Sequence, residues 1–141
     1  MSTAFVIPRT GYLRLTVESA HLNVNLGGPL NKMDPFVFIQ VGKQQQWRSS
    51  VCVNGGKNPV WQFQHMEIPV KKLSKLEKVV RIEVRDQNLL GSEPIAHANV
   101  TLGMFASRGP VHERIQLIHR GMNGGHIMMR SVFHTETVAV V

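Results

Sequence analysis

Apolar and polar residues alternate with a period of two along much of this chain. In Tyr12-Leu13-Arg14-Leu15-Thr16-Val17-Glu18, three apolar residues lie to one side and Arg14, Thr16 and Glu18 to the other. That pattern predicts a half-buried strand, with Ala20 and Leu22 closing it. A loop rich in Gly, Pro and Asn follows over residues 23–33. Asp34-Pro35 ends it, because proline fixes its own φ, donates no hydrogen bond and suits the first residue of a strand. The second strand is predicted from Pro35 to Val41, with Val37, Ile39 and Val41 on one face and Phe36, Phe38 and Gln40 on the other. Gly42-Lys43 makes a tight connection, and Gln44 to Val53 reads as a third strand.

Asn54-Gly55-Gly56 is a turn signal, since Asn and Gly take positive φ cheaply. The fourth strand opens in Lys57-Asn58-Pro59-Val60-Trp61-Gln62-Phe63 and runs to about Ile68. Leu73 and Leu76 are three apart, which suits one helical turn. Val79 to Asp86 alternates again. Residues 87–94 read as a loop, Ile95 to Leu102 as a sixth strand and 103–110 as a loop. Val111 to His119 is the seventh strand, Asn123-Gly124-Gly125 a turn, and His126 to His134 the eighth. Eight short strands separated by turn signals predict an all-β fold, an eight-stranded antiparallel Greek-key sandwich. It occupies residues 11–134, between an N-terminal tail (1–10) and a C-terminal tail (135–141).

Composition agrees with one such domain. The chain has 141 residues, of which 43% are hydrophobic and 18% charged, enough apolar material for a core. One cysteine, Cys52, rules out an internal disulfide and points to a reducing, cytoplasmic setting. No apolar run reaches the ~20 residues of a membrane span, and the first residues lack the basic region of a signal peptide. The sequon Asn99-Val100-Thr101 falls in a predicted strand and is expected to be unused. The formal charge of +7 suggests an acidic partner: an anionic lipid surface, nucleic acid or an acidic protein. No nucleophile–base pair, Gly-rich phosphate loop or cysteine cluster suggests an enzyme. No stripe of interleaved aromatics suggests nucleic acid.

Four stretches together resemble the C2 domain, a calcium- and phospholipid-binding β-sandwich family. They are Gly11-Tyr12-Leu13-Arg14-Leu15-Thr16-Val17, Lys32-Met33-Asp34-Pro35-Phe36-Val37, Lys57-Asn58-Pro59-Val60-Trp61-Gln62-Phe63 and Val84-Arg85-Asp86-Gln87-Asn88. Starting on Leu-x-Leu-x-Val and ending on an extra strand resembles the permuted form called type II. The resemblance implies a calcium site on loops at one end of the sandwich, built from five acidic positions. Asp34 matches the second and Asp86 the third. Asn88 replaces the fourth acid, Glu93 falls one residue from the fifth, and Gly28 stands at the first. Calcium needs roughly 6–8 oxygens and its affinity follows ligand charge, so three carboxylates predict a degenerate site and no cofactor. A single weak ion held by Asp34, Asp86 and Glu93 is the alternative. Asp34 is then expected to brace its loop by accepting backbone N–H bonds.

The resemblance therefore implies a non-catalytic peripheral membrane module, binding anionic phospholipid without calcium. Two basic groups are candidates for lipid contact. One is Lys43, Arg48 and Lys57, bordering the third and fourth strands. The other is Lys71, Lys72, Lys75 and Lys78, which serves equally as a solvated charged loop. Leu30, Met33, Leu89 and Leu90 are candidate loop tips for membrane contact, with folding back onto the core as the alternative for the leucine pair. Phe36, Phe38 and Trp47 are a candidate apolar face for a protein partner. They support the competing reading, an interaction scaffold that has lost calcium and lipid binding.

Overall fold

In the computed structural model, residues 11–28, 30–43, 45–70, 78–106 and 110–135 are described. Their strands are β1 (Gly11–Leu22), β2 (Pro35–Val41), β3 (Gln45–Arg48), β4 (Val60–Val70), β5 (Val79–Asn88), β6 (Gly91–Thr101), β7 (Val111–His119) and β8 (Met122–Thr135), with one short helix, α1 (Leu102–Ala106). The order across the sheet is β3-β2-β5-β6-β7-β8-β1-β4, and every described pair is antiparallel. β6 and β7 meet through a single registered pair, His97 with Ile118. That narrow seam divides the strands into two four-stranded layers, the two halves of a β-sandwich.

Side-chain parity fills the space between the layers. Leu13, Leu15 and Val17 from β1, Val37, Ile39 and Val41 from β2, and Val80, Ile82 and Val84 from β5 are all buried. Met66, Ile68 and Val70 from β4, Ile115 and Leu117 from β7, and Ile127 and Met129 from β8 complete the core. Each such side chain removes roughly 1.5–3 kcal/mol worth of apolar surface from water, and this drives the layers together.

Several boundaries differ from the alternation-based reading, for local reasons. The third strand is shorter than the predicted Gln44 to Val53. Beyond Arg48 the chain still follows β2, with Ser49 N–H donating to the Val37 carbonyl at 2.9 Å and Cys52 N–H to the Pro35 carbonyl at 2.8 Å. Only the regular ladder is lost, because the Ser49 hydroxyl inserts and accepts the Val37 N–H at 2.8 Å. Residues 87–94 are a hairpin rather than a loop. β5 and β6 pair up to Asn88 and Gly91, leaving Leu89-Leu90 as its tip. In the predicted loop 103–110, Leu102, Phe105 and Ala106 bury one face of α1.

The turn assigned to Asn123-Gly124-Gly125 lies instead at Arg120-Gly121, where φ is 48° and 77° and β7 reverses into β8. Asn123 to Gly125 are inside β8. Gly125 pairs with Leu22 of β1 and has φ 113°. A Cβ there would overlap the His21 carbonyl oxygen. Gly125→Ala is therefore expected to lose on the order of 2–3 kcal/mol through strain and collision, read as a lower urea midpoint. An unchanged midpoint would show that the β1–β8 ladder yields at this point.

Candidate functional site: the loop end of the sandwich

Strand register fixes which connections share an end. Pro35 lies opposite Asp86, Asn88 opposite Gly91, and His119 opposite Met122. One end of the sandwich therefore gathers residues 23–28, 30–34, 49–59, 89–90 and 120–121. The other end carries Gly42-Lys43, Lys78 and helix α1, joined where Gly42 N–H donates to the Val79 carbonyl and Leu102 N–H to that of Lys78.

Asp34 sits at the rim of the first end. Its Oδ1 accepts the Asn54 N–H at 2.7 Å. Its own N–H donates to Asp86 Oδ1 at 2.8 Å, and its carbonyl accepts the Gln87 N–H at 3.0 Å. Both carboxylates are thus engaged in tying loop 23–34 to loop 49–59 and to β5. Asn88 Oδ1 accepts the Leu90 N–H at 3.0 Å, which caps its own hairpin. Glu93 pairs in register with Asp86 but lines a different cleft, with Leu26, His97 and Arg120. Among the described residues, no three His, Cys, Asp or Glu side chains form a group suited to a metal ion.

The apolar tips divide sharply. Leu30 is 93% exposed and Leu90 100%, and Leu89 is wholly exposed beside it. The leucine pair thus projects and does not fold back. Met33, by contrast, is 1% exposed, and its sulfur accepts the Leu26 N–H at 3.4 Å. It is a core residue that anchors its loop, so it leaves the set of tips. Sequence reading did not single out Val53 and Met122, which are exposed at the same end by 73% and 68%. Their place at a turn and at a strand start, each followed by an asparagine, was the available signal. Lys32 and Lys57 line an open cleft of about 420 Å³ there, together with Leu30, Asn31 and Asn58.

The first basic group is not arranged as its spacing suggested. Lys43 precedes β3 and Lys57 follows it, so the strand carries the chain between them and they lie at opposite ends. Arg48 lies between, on the outer face. Its guanidinium carbon is 4.1 Å from the Phe36 ring centroid, a cation–π contact. Lys78 shares the end of Lys43, and its aliphatic stem packs beside Gly42. Lys71, Lys72 and Lys75, and the helical turn expected at Leu73 and Leu76, lie outside the described residues.

The proposed aromatic face is also divided. Phe38 is opposite Arg48, whereas Trp47 is opposite Ile39 and packs against the core. Phe36 is only 3% exposed. Phe38 stays partly open on the outer face, in a shallow cleft with Arg48, Glu83, Arg85 and Ser92. Glu83 is buried there between Arg81, at 3.2 Å, and Arg85, which also reaches Ser92 Oγ at 2.8 Å.

These loops and ladders match a known family. The C2 domain family model covers residues 11–117. The chain belongs to the C2 domain family. Solved C2 structures superpose on it closely. A single C2 domain of a plant extended synaptotagmin 1 does so with TM-score 0.73 and 19% identity, over 93% of this chain and 98% of that one. A structure of the paired C2 domains of extended synaptotagmin 2 gives 0.72 and 21%, over 96% of this chain and 44% of that one. A C2 domain-containing protein from a putative elicitor-responsive gene gives 0.71 and 17%, covering 96% and 97%. At these identities the likeness concerns the fold. No curated protein sequence matches this C2 chain. Among its described residues, no helix is long and apolar enough to cross a membrane.

Proposed function

We propose that this C2 domain is a non-catalytic peripheral membrane module that docks its loop end on anionic phospholipid of the cytoplasmic leaflet without needing calcium. One observation carries the reading. Leu30, Leu89 and Leu90 are wholly or almost wholly exposed at the end that also presents Lys32 and Lys57. Exposed leucines at a loop tip bury apolar surface when they enter the headgroup boundary. Each neighbouring lysine contributes roughly 1 kcal/mol against an anionic leaflet. Calcium independence is supported by the use of the acids. Asp34 and Asp86 already accept backbone N–H bonds, Asn88 is neutral, and Gly28 carries no carboxylate.

Vesicle co-sedimentation tests this. Binding is expected with phosphatidylserine and not with phosphatidylcholine alone. It should persist with a calcium chelator and weaken with added salt, because exposed charges are screened. A requirement for calcium would overturn the calcium-independent part. No binding under any condition would overturn the whole and favour the interaction-module reading, for which the Phe38 cleft is the remaining surface.

A further inference from the structure

A second cluster lies on the outer face of the β7-β8-β1-β4 layer, where it borders the loop end at Asn23 and Asn58. On the outer face of β1, β7 and β8, His126 lies in register with both His21 and Gln116. The rings of His21 and His126 are 5.8 Å apart, tilted by 33°. With Arg114, Asn23, Asn123 and Gln116 they line an open cleft of about 320 Å³. We propose that this cleft, where Arg114 meets His21 and His126, binds a phosphate- or sulfate-class dianion, and that it binds more tightly as pH falls through the histidine range.

The hydrogen bonds show which donors are spare. Arg114 Nη2 donates to His126 Nδ1 at 3.1 Å, so neutral His126 carries its proton on Nε2. His21 Nδ1 donates to Asn58 Oδ1 at 2.7 Å, so Nε2 of the neutral ring carries no proton and is not a donor. Asn123 Oδ1 accepts from Gln116 Nε2 at 2.6 Å and from the Gly125 N–H at 2.9 Å, leaving the Asn123 amide NH2 as a donor. Asn23 Nδ2 donates to the Asn123 carbonyl at 3.2 Å. The cleft thus offers a guanidinium, an imidazole N–H and an amide, a donor set suited to an oxyanion.

The charges around it have one sign. β7 contributes Arg114, β1 contributes His21, and Lys57 adjoins Asn58 in the neighbouring loop. Glu18 of β1 is held by His112 at 2.7 Å and by Arg130 of β8 at 3.0 Å. Glu113 is on the core-facing register of β7, opposite Met129. Desolvation, then Arg114, then His21 hold His126 below its ordinary value of 6.5. A bound dianion draws Arg114 away from Nδ1 and offsets the repulsion, so binding takes up a proton. Mildly acidic conditions then favour the occupied state.

This inference is independent of the docking reading, because its first arm contains no membrane. Sulfate, which stays a dianion across the range, is titrated into the full chain while the histidine ring NMR signals are followed. Saturable shifts of His21 and His126 are expected, with affinity at least about threefold tighter near pH 5.5 than near pH 7.5. Arg114→Gln is expected to weaken binding about tenfold. His126→Gln should remove the pH dependence, and Lys43→Gln, at the far end, should change neither. Inorganic phosphate and vesicles containing phosphatidic acid then separate the sources. Saturation by phosphate indicates a free ligand. Vesicle binding that is lost in Arg114→Gln but kept when the loop leucines are replaced indicates a lipid headgroup. Non-saturating shifts, or equal binding by Arg114→Gln, would overturn the proposal, as would an affinity that does not change with pH.

Discussion

Replacing Leu89 and Leu90 together by glutamate is expected to reduce partitioning onto anionic vesicles by about 100-fold or more, without lowering stability. Burying a leucine side chain is worth roughly 1.5–3 kcal/mol, so two fully inserted tips supply roughly 3 kcal/mol or more. Each factor of ten in an equilibrium corresponds to about 1.4 kcal/mol, and the added carboxylates oppose an anionic leaflet as well. Stability should hold because both side chains stand free of the fold. The hairpin itself is kept by the Asn88–Gly91 pair and the Asn88 side-chain cap. Co-sedimentation beside urea unfolding separates the two effects. If the double variant binds like the parent while Lys32→Gln/Lys57→Gln does not, docking is electrostatic and the leucines stay in water. If both variants bind normally, the membrane face lies elsewhere.

Period-two alternation made the fold legible because the sandwich buries one face of each layer. Leu13, Leu15 and Val17 had no other place to go, and neither did Val37, Ile39 and Val41. What the pattern could not supply was direction and distance across the fold. Lys43 and Lys57 are close in sequence, but one strand between them exchanges ends. Phe38 and Trp47 are both large and aromatic, yet their faces are set by pairing with Arg48 and Ile39, which depends on register and not on composition. Met33 carried no alternation because it stands in a loop, and only the packed loop shows it as a core residue. Asn-Gly-Gly was misread since a glycine favours turns and close backbone approach alike. At Gly125 the close approach of the paired β1 backbone required the second. Asp34 is the opposite case. Its expected role as a loop brace follows from counting absent carboxylates, and the Asn54 N–H is its partner.

Trp61→Ala is expected to cost about 3–5 kcal/mol, the range for removing a large buried aromatic. That is a large share of the roughly 5–15 kcal/mol that holds a domain of this size. Trp61 is 2% exposed, and its Nε1–H donates to the Pro35 carbonyl at 3.2 Å. It therefore fastens the start of β4 to the rim that Asp34 and Pro35 form. The backbone nearby shows how tightly this corner is specified. Gln62 and Phe63 both hold positive φ, 49° and 58°, where β4 bulges away from β1 between the Ser19–Val60 and Val17–Gln64 pairs. Non-glycine residues adopt that region at a cost, so the packed indole next to them must hold the distortion in place. Trp61→Phe separates packing from hydrogen bonding. The Pro35 carbonyl still accepts from the Cys52 N–H, so no acceptor is orphaned and the expected loss is nearer ~1 kcal/mol. Urea midpoints of the two variants decide the matter. Equal losses would place the hydrogen bond above the packing. A loss under about 1 kcal/mol for the alanine would show that the core closes over the gap and that the Asp34 rim is held by its carboxylate contacts alone.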